Sequence, residues 1–355
     1  MSNDPRDLDG KRLHRAMHQL GRDTALRARL VDLLRQAEAS IAYDGSVRDD
    51  VVGPIVDALH DDQDVYGQQL ADGTRVEYFY RTKIARDLLL SASERPTHVW
   101  EPQTTKLLLE LAPRLQGDVI VGGAYFGDQA VLVAKAIAPA GLKVHCFEPN
   151  PDQAGMLQNN LALNQLGNVV VNHEGLWSRS GERMRLDGFD SFANAVAASA
   201  GEGFETVAMD DYAQRLGLRV GLIQLDIEGA ELAALQGAVQ ILDKDRPWVV
   251  FELHRTYVDW SQGLRATPLC QLFLERGYEV FAVRDLNSHR EMPGKPVELV
   301  PIDTVYLEGP PHGFNMLAVP HKGLVDTPAF SVVNAVSPKL LPHKDARLHH
   351  PVGGF

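Results

Sequence analysis

Cysteine is nearly absent from this 355-residue chain; only Cys146 and Cys270 occur. Cys146 falls in an apolar run and Cys270 in a helical stretch, so both read as buried thiols and a disulfide framework is excluded. Cationic side chains are the scarcer sign, 35 lysines and arginines against 47 aspartates and glutamates, a formal net charge of −12. That balance excludes a broad electrostatic footprint for nucleic acid. No apolar run is long enough to cross a bilayer, so no membrane partner is expected. The opening residues Met-Ser-Asn-Asp-Pro-Arg-Asp lack the apolar region of a signal peptide, which makes a cytoplasmic protein the expectation. No internal repeat is visible. With 45% hydrophobic residues the chain can bury a large core, as one main domain with an attached segment.

What is present is organised around Asp118 to Lys135. An apolar β-rich run, Val119 to Val121, meets Gly122, Gly123 and Gly127, and a helical pattern of Phe126, Ala130, Val133 and Ile137 follows. This reads as a buried parallel strand, a tight glycine turn and a helix N-terminus. Glycines permit positive φ and close ligand approach, and the helix start offers unpaired N–H groups. The next apolar strand, Val144-His-Cys-Phe-Glu148, ends in a carboxylate about 20 residues on. A glycine turn followed by an acidic strand end is the layout that holds a nucleoside, the carboxylate taking the ribose hydroxyls. Glycine spacing alone is weak evidence; strand, helix and Glu148 together carry the reading.

Along the chain, residues 1–94 read as an N-terminal segment of two or three helices, a cap or a homodimer contact. A short β-hairpin at 64–80 turns at Asp72-Gly73, and a helix runs from Lys83 to Ser91. A helix starting at Pro102 or Thr104 and ending by Pro113 opens the main domain, 95–319. Strands are expected at 168–172, near 183–186, at Val220–Leu225, Trp248–His254, Tyr278–Val283 and Ile302–Leu307, with helices between. Residues 187–204 read as a flexible loop, a candidate lid. Residues 320–355, rich in Pro, His and Gly, read as an irregular tail without ligand spacing among His343, His349 and His350. Alternating strands and helices indicate a doubly wound α/β sheet, which binds ligands beyond the carboxyl ends of its strands. The glycine turn, Glu148, the loop at 175–178, Asp226 to Glu231, and Glu252 with His254 should therefore share one rim.

These blocks carry a resemblance. Trp100-Glu-Pro102, Gly117 to Gly127, Phe147-Glu-Pro-Asn-Pro151, Asn160-Leu-Ala-Leu-Asn164, Gln224-Leu-Asp-Ile-Glu-Gly-Ala-Glu231 and Val250-Phe-Glu-Leu-His254 resemble the FkbM family of S-adenosylmethionine-dependent methyltransferases in order and spacing. The match covers about 95–283, with 319 as its outer limit. The resemblance implies a Rossmann-like class I methyltransferase fold, with seven mostly parallel strands and helices on both faces. It also implies methylation of a hydroxyl on a small acceptor, a sugar or natural product, or in some members a peptide side-chain amide. One departure matters: the family usually has Asp where Val121 stands and Asn where Tyr125 stands. That Asp helps anchor the amino end of the cofactor; Glu101 or Asp118 could substitute, and a non-catalytic cofactor-binding or scaffold protein is the alternative.

The resemblance places cofactor contacts on Glu101, Gly123, Ala124, Tyr125, Phe126, Gly127, Glu148, Pro149, Asn150 and Asp226. A sulfonium calls for acceptors or aromatic faces, which Tyr125 or Phe126 could supply, although Phe126 also reads as a core residue. Leu176-Trp177 fits as an apolar wall for adenine, or as packing. Asp226, ending its strand, is the candidate base or substrate-positioning carboxylate. Glu228 and Glu231 begin the next helix, where acidic residues stabilise the dipole, and for Glu231 that is the better reading. Glu252 and His254 share a strand face, and His254 is a second candidate base or an ordinary strand-end histidine. Asp226, Glu252 and His254 together could hold a divalent cation such as Mg²⁺.

Overall fold

The computed structural model describes residues 10–199, 201–286, 290–307 and 313–355. Between α1 (Gly10–Gly21) and α2 (Thr24–Glu38), Asp23 caps α2 by accepting from Leu26 N at 3.0 Å. A short α3 (Gly53–Asp57) leads to the expected hairpin, β1 (Val65–Gln69) and β2 (Arg75–Phe79), whose turn is tied by Asp72 accepting from Thr74 N at 2.9 Å. Helix α4 (Lys83–Leu89) completes the segment. Val52, Val56, Leu70, Tyr78 and Leu88 share one core with Phe126, Leu132 and Met156 of the main domain, so this segment is a fixed part of the fold.

The main domain runs α5 (Pro102–Leu111), β3 (Asp118–Gly122), α6 (Ala130–Ile137), β4 (Val144–Phe147), α7 (Pro151–Leu163) and β5 (Val169–Asn172). Asn160 and Asn164, one turn apart on α7, close the edge of β2. Asn160 accepts from Glu77 N (2.7 Å) and donates to Glu77 O (2.8 Å) and Phe126 O (2.8 Å). Asn164 accepts from Arg75 N (2.9 Å) and donates to Arg75 O (2.6 Å). Two side-chain amides thus serve as the missing neighbouring strand.

Next come β6 (Gly175–Leu176), β7 (Arg183–Asp187), β8 (Asn194–Ala197), β9 (Phe204–Val207) and α8 (Met209–Leu216). The chain continues through β10 (Val220–Leu225), α9 (Glu231–Gln236), α10 (Val239–Lys244), β11 (Trp248–Leu253), α11 (Pro268–Leu274) and β12 (Glu279–Val283). It closes with β13 (Val297–Pro301), β14 (Phe314–Val319), β15 (Phe330–Val332) and α12 (Ala346–His349). The main sheet has the order β15-β13-β12-β14-β11-β10-β3-β4-β5. Strands β5, β4, β3, β10 and β11 are parallel, and β14 inserts antiparallel between β11 and β12. Helices pack on both faces, over cores centred on Ile223, Phe251 and Phe273 and on Leu107, Val121 and Leu317. The topological switch point, where ligands bind in such sheets, lies between β3 and β10.

The sequence expectations need four corrections. The main sheet has nine strands where seven were expected, because β13 and β15 extend it beyond β12. The strand expected at Ile302–Leu307 is absent; the true one is β14, whose residues Phe314 to Val319 are all buried, so it has no alternation to betray it. Within 187–204, β8 pairs antiparallel with β7, making a four-stranded sheet β6-β9-β7-β8 where a loop was expected. The region from 320, expected as an irregular tail, is irregular over most of its length but adds β15 and α12 to the fold. Fully buried Arg284 donates to Ser337 O (2.8 Å), Leu348 O (2.8 Å) and His350 O (3.0 Å), fixing that segment to the sheet edge. No helix among the described residues is long and apolar enough to cross a membrane.

Candidate active site

Strand β3 ends in a turn that only glycine can make. A Cβ on Gly123 (φ +72°) would lie 1.8 Å from the Asp226 carbonyl, so the ends of β3 and β10 approach only because it is missing. The turn then presents Tyr125 N to Glu148 Oε2 at 2.8 Å, while Glu148 Oε1 accepts from Asn150 N at 2.9 Å. Burial pushes the Glu148 carboxyl up to about 7, against those two N–H groups. Tyr125 itself sits at φ +49°, and its hydroxyl donates to Asp190. Asp190 also accepts from Gln153 Nε2 (2.9 Å) and pairs with Arg81 (3.3 Å). The turn between β7 and β8 is thereby latched across the glycine turn to α7 and the N-terminal segment.

These residues line one cleft at the ends of β3, β4 and β10, open to solvent. Gly123, Tyr125, Glu148, Pro149, Asn150, Leu176, Trp177 and Asp226, all expected from sequence, line it. Ala124, Phe126 and Gly127 are buried beside it without lining it, and Phe126 is a core residue against Tyr78. Glu101 also stands outside the lining, accepting from Asn315 Nδ2 at 2.6 Å. Asp118 lies at the start of β3, bonded to Lys143 N (2.9 Å), at the opposite end of the strand from the turn. Val121 is buried in the strand.

Sequence reasoning missed Asp128, Gln129, Gln153, Asp190 and Gln224, which also line the cleft. Asp128 follows the glycine turn directly and was readable there; burial pushes it up to about 7, with Asp226 and Glu148 adding like charge. Gln153 Oε1 and Gln224 Oε1 are buried and have no hydrogen-bond partner among the described residues. Asp190 gives no local sign, since its partners lie 37 to 109 residues away.

Asp226 opens into the cleft from the end of β10, while the protein packed around it pushes its carboxyl up to about 6. Glu231, the first residue of α9, accepts from Ile227 N (3.0 Å) and Gly229 N (3.1 Å), so its carboxylate ties down the loop after β10. Burial and then the charges of Asp226 and Glu231 push Glu228 up to about 8. Glu252 and His254 do not line the cleft. Among the described residues, the group whose ligand atoms come within 4.8 Å of one another is Asp226, Glu228 and Glu252, so the expected trio with His254 is not the one assembled. Thr256 N donates to His254 Nδ1 at 3.1 Å, in the loop after β11.

Residues 122–280 match the methyltransferase FkbM domain. Among solved structures, methyltransferase FkbM from Methylobacillus flagellatus KT is 16% identical over 57% of this chain and 43% of that one, with a TM-score of 0.33. The chain therefore spans less than half of that protein. An O-methyltransferase from Bacillus cereus in complex with SAH is 14% identical over 61% of this chain and 81% of that one, TM-score 0.35. A putative O-methyltransferase from Klebsiella pneumoniae is 14% identical over 61% and 79%, TM-score 0.34. Likenesses at that level carry no functional argument. No curated protein matches the chain. The segment from 122 to 280, which carries the glycine turn, Glu148, Asp226 and Glu252, belongs to the methyltransferase FkbM domain family.

Proposed function

We propose that the protein transfers a methyl group from S-adenosylmethionine to a hydroxyl of a small acceptor, a sugar or natural product. The observation that carries this reading is the cleft itself, lined together by the glycine turn, Glu148 and Asp226 at the switch point. The residues fit the cofactor. A carboxylate has about four acceptor positions, so Glu148, with two N–H groups engaged, retains capacity for ribose hydroxyls. The unpartnered oxygens of Gln153 and Gln224 offer acceptors to the cofactor's N–H donors. Asp128 provides the carboxylate that Val121 does not, and its place in the lining favours it over Glu101 and Asp118 for the amino end.

Bound S-adenosylmethionine supplies a methyl group on a sulfonium sulfur. The protein's part is to hold the acceptor oxygen in line and take its proton. Asp226 is the carboxylate placed to accept that proton, a contribution on the order of 10²–10⁴-fold. Ala193, Ala195 and Phe204 line the cleft, and peptide side-chain amides rank second as acceptors.

Incubation with methyl-labelled cofactor and a panel of sugars and glycosylated natural products tests the reading. Label in a hydroxyl-bearing acceptor is expected, and label only in peptides carrying side-chain amides would replace O- with N-methylation. Chelation decides the part of a divalent cation. Full activity in excess chelator assigns the step to carboxylates alone, and loss restored by Mg²⁺ assigns it to a cation. Leu13, Leu20 and Leu33, exposed on α1 and α2, are the surface through which a homodimer would form, and light scattering reads that directly.

A further inference from the structure

Helix α1 runs against the charge of the chain that carries it. Its 12 residues include Lys11, Arg12 and Arg15, with His14 and His18, and no acid, whereas the chain as a whole has a net charge of −12. Leu13, Ala16, Met17 and Leu20 stand at i, i+3, i+4 and i+7, a single apolar stripe. The protein covers only one flank of it. Met17 packs against the core that the N-terminal segment shares with the main domain, and His18 pairs with Asp61 at 3.4 Å. Gly21 sits so close to Leu59 that a Cβ there would lie 1.8 Å from its carbonyl oxygen. At about 100° per residue these three share one side of the helix. The rest of the stripe turns outward: Leu13 and Leu20 are 51% and 44% exposed, and Ala16 is exposed between them. Lys11, Arg12 and Arg15 are exposed as well, so cations adjoin the bare apolar stripe along one outer arc.

The size and charge of that arc select its occupant. A helix of 12 residues is about 18 Å long and about 10 Å wide, so its free face offers on the order of 200–300 Å², against about 800 Å² per partner in a stable protein interface. A two-fold contact between copies also needs a self-complementary patch, and α1 presents cations without any acid to receive them. A lipid surface has neither requirement. Leucines enter the boundary of headgroups and acyl chains, and cations at the edge of the stripe meet anionic headgroups. Such a helix lies in the interface and spans nothing, so the absence of a long apolar helix among the described residues does not bear on it.

We propose that α1 is an interfacial anchor, docking the protein on an anionic lipid surface through Leu13, Ala16 and Leu20, with Lys11, Arg12 and Arg15 at the headgroups. The acidic remainder of the chain is repelled by such a surface, so the contact is peripheral and sensitive to salt. It stands apart from the methyl-transfer reading, since no residue of the cleft takes part in it.

The test is co-sedimentation of the full chain with vesicles of phosphatidylcholine alone and of phosphatidylcholine with about 30% phosphatidylserine, at about 0.05 M and about 0.5 M salt. Binding to the mixed vesicles at low salt is expected, weaker by at least about tenfold at high salt or without phosphatidylserine. Leu13→Ser with Leu20→Ser, and separately Lys11→Glu with Arg15→Glu, should each weaken it at least about tenfold. Their urea midpoints should stay at the wild-type value, because all of these side chains are exposed. Absence of binding to the mixed vesicles, equal binding to both compositions, or unchanged binding by either double variant would overturn the proposal. So would light scattering that shows a wild-type dimer dissolved by Leu13→Ser with Leu20→Ser, since the face would then belong to a second copy.

Discussion

Glu148 and Asp226 both line the cleft with different tasks, and single substitutions separate them. Glu148→Ala removes the acceptor of Tyr125 N and Asn150 N and any bond to the ribose, so cofactor affinity should fall by about tenfold or more in calorimetry. Unchanged affinity would remove Glu148 from that role. Asp226→Asn keeps the shape but cannot accept a proton, so turnover should drop by about two orders of magnitude while cofactor still binds. Near-normal turnover would end its candidacy as base. With its carboxyl at about 6, Asp226 is protonated below that pH and ionised above it. Wild-type turnover should therefore rise as pH increases through about 6, and a flat profile there would contradict the assignment. Both residues were legible in sequence because each ends an apolar strand. Asp128 was missed although it adjoins the glycine turn, and its value emerges only once Val121 is seen buried in β3.

At the scale of elements, the turn between β7 and β8 acts as a latch. Asp190 gathers Tyr125, Gln153 and Arg81, so one side chain ties the wall of the cleft to three other elements. Asp190→Ala should speed cofactor release by about tenfold and hasten proteolytic cleavage within 187–199, consistent with losing charge-assisted bonds. Wild-type rates in both assays would reduce the turn to a passive wall. Asn160→Ala should destabilise the fold by about 1–3 kcal/mol, because β2 and the Phe126 carbonyl lose their partners inside the structure. Unfolding at the wild-type denaturant midpoint would contradict that account. The block Asn160-Leu-Ala-Leu-Asn164 was visible in sequence as part of a resemblance, but its task was not. A side chain that caps a distant strand leaves no periodic sign.

Taken whole, the molecule is legible in sequence where local pattern and position agree, and obscure where distant segments meet. The parallel half of the sheet, from β3 to β5 with β10 and β11, followed from apolar runs punctuated by glycine and acidic ends. Beyond β12 the edge did not: β14 is buried on both faces, and β15 has only 3 residues. The last 36 residues read as an irregular tail because they lack periodicity, yet Arg284 holds their backbone carbonyls and Leu340 N donates to Asp285 O at the end of β12. Order there comes from long-range hydrogen bonds, which composition does not record. The central claim is that this assembled cleft binds a methyl donor despite Val121. Calorimetric titration with S-adenosylmethionine and S-adenosylhomocysteine tests it most directly. The account predicts binding of both with Kd on the order of micromolar, near −8 kcal/mol. No heat of binding at millimolar ligand would mean that the fold persists without its chemistry.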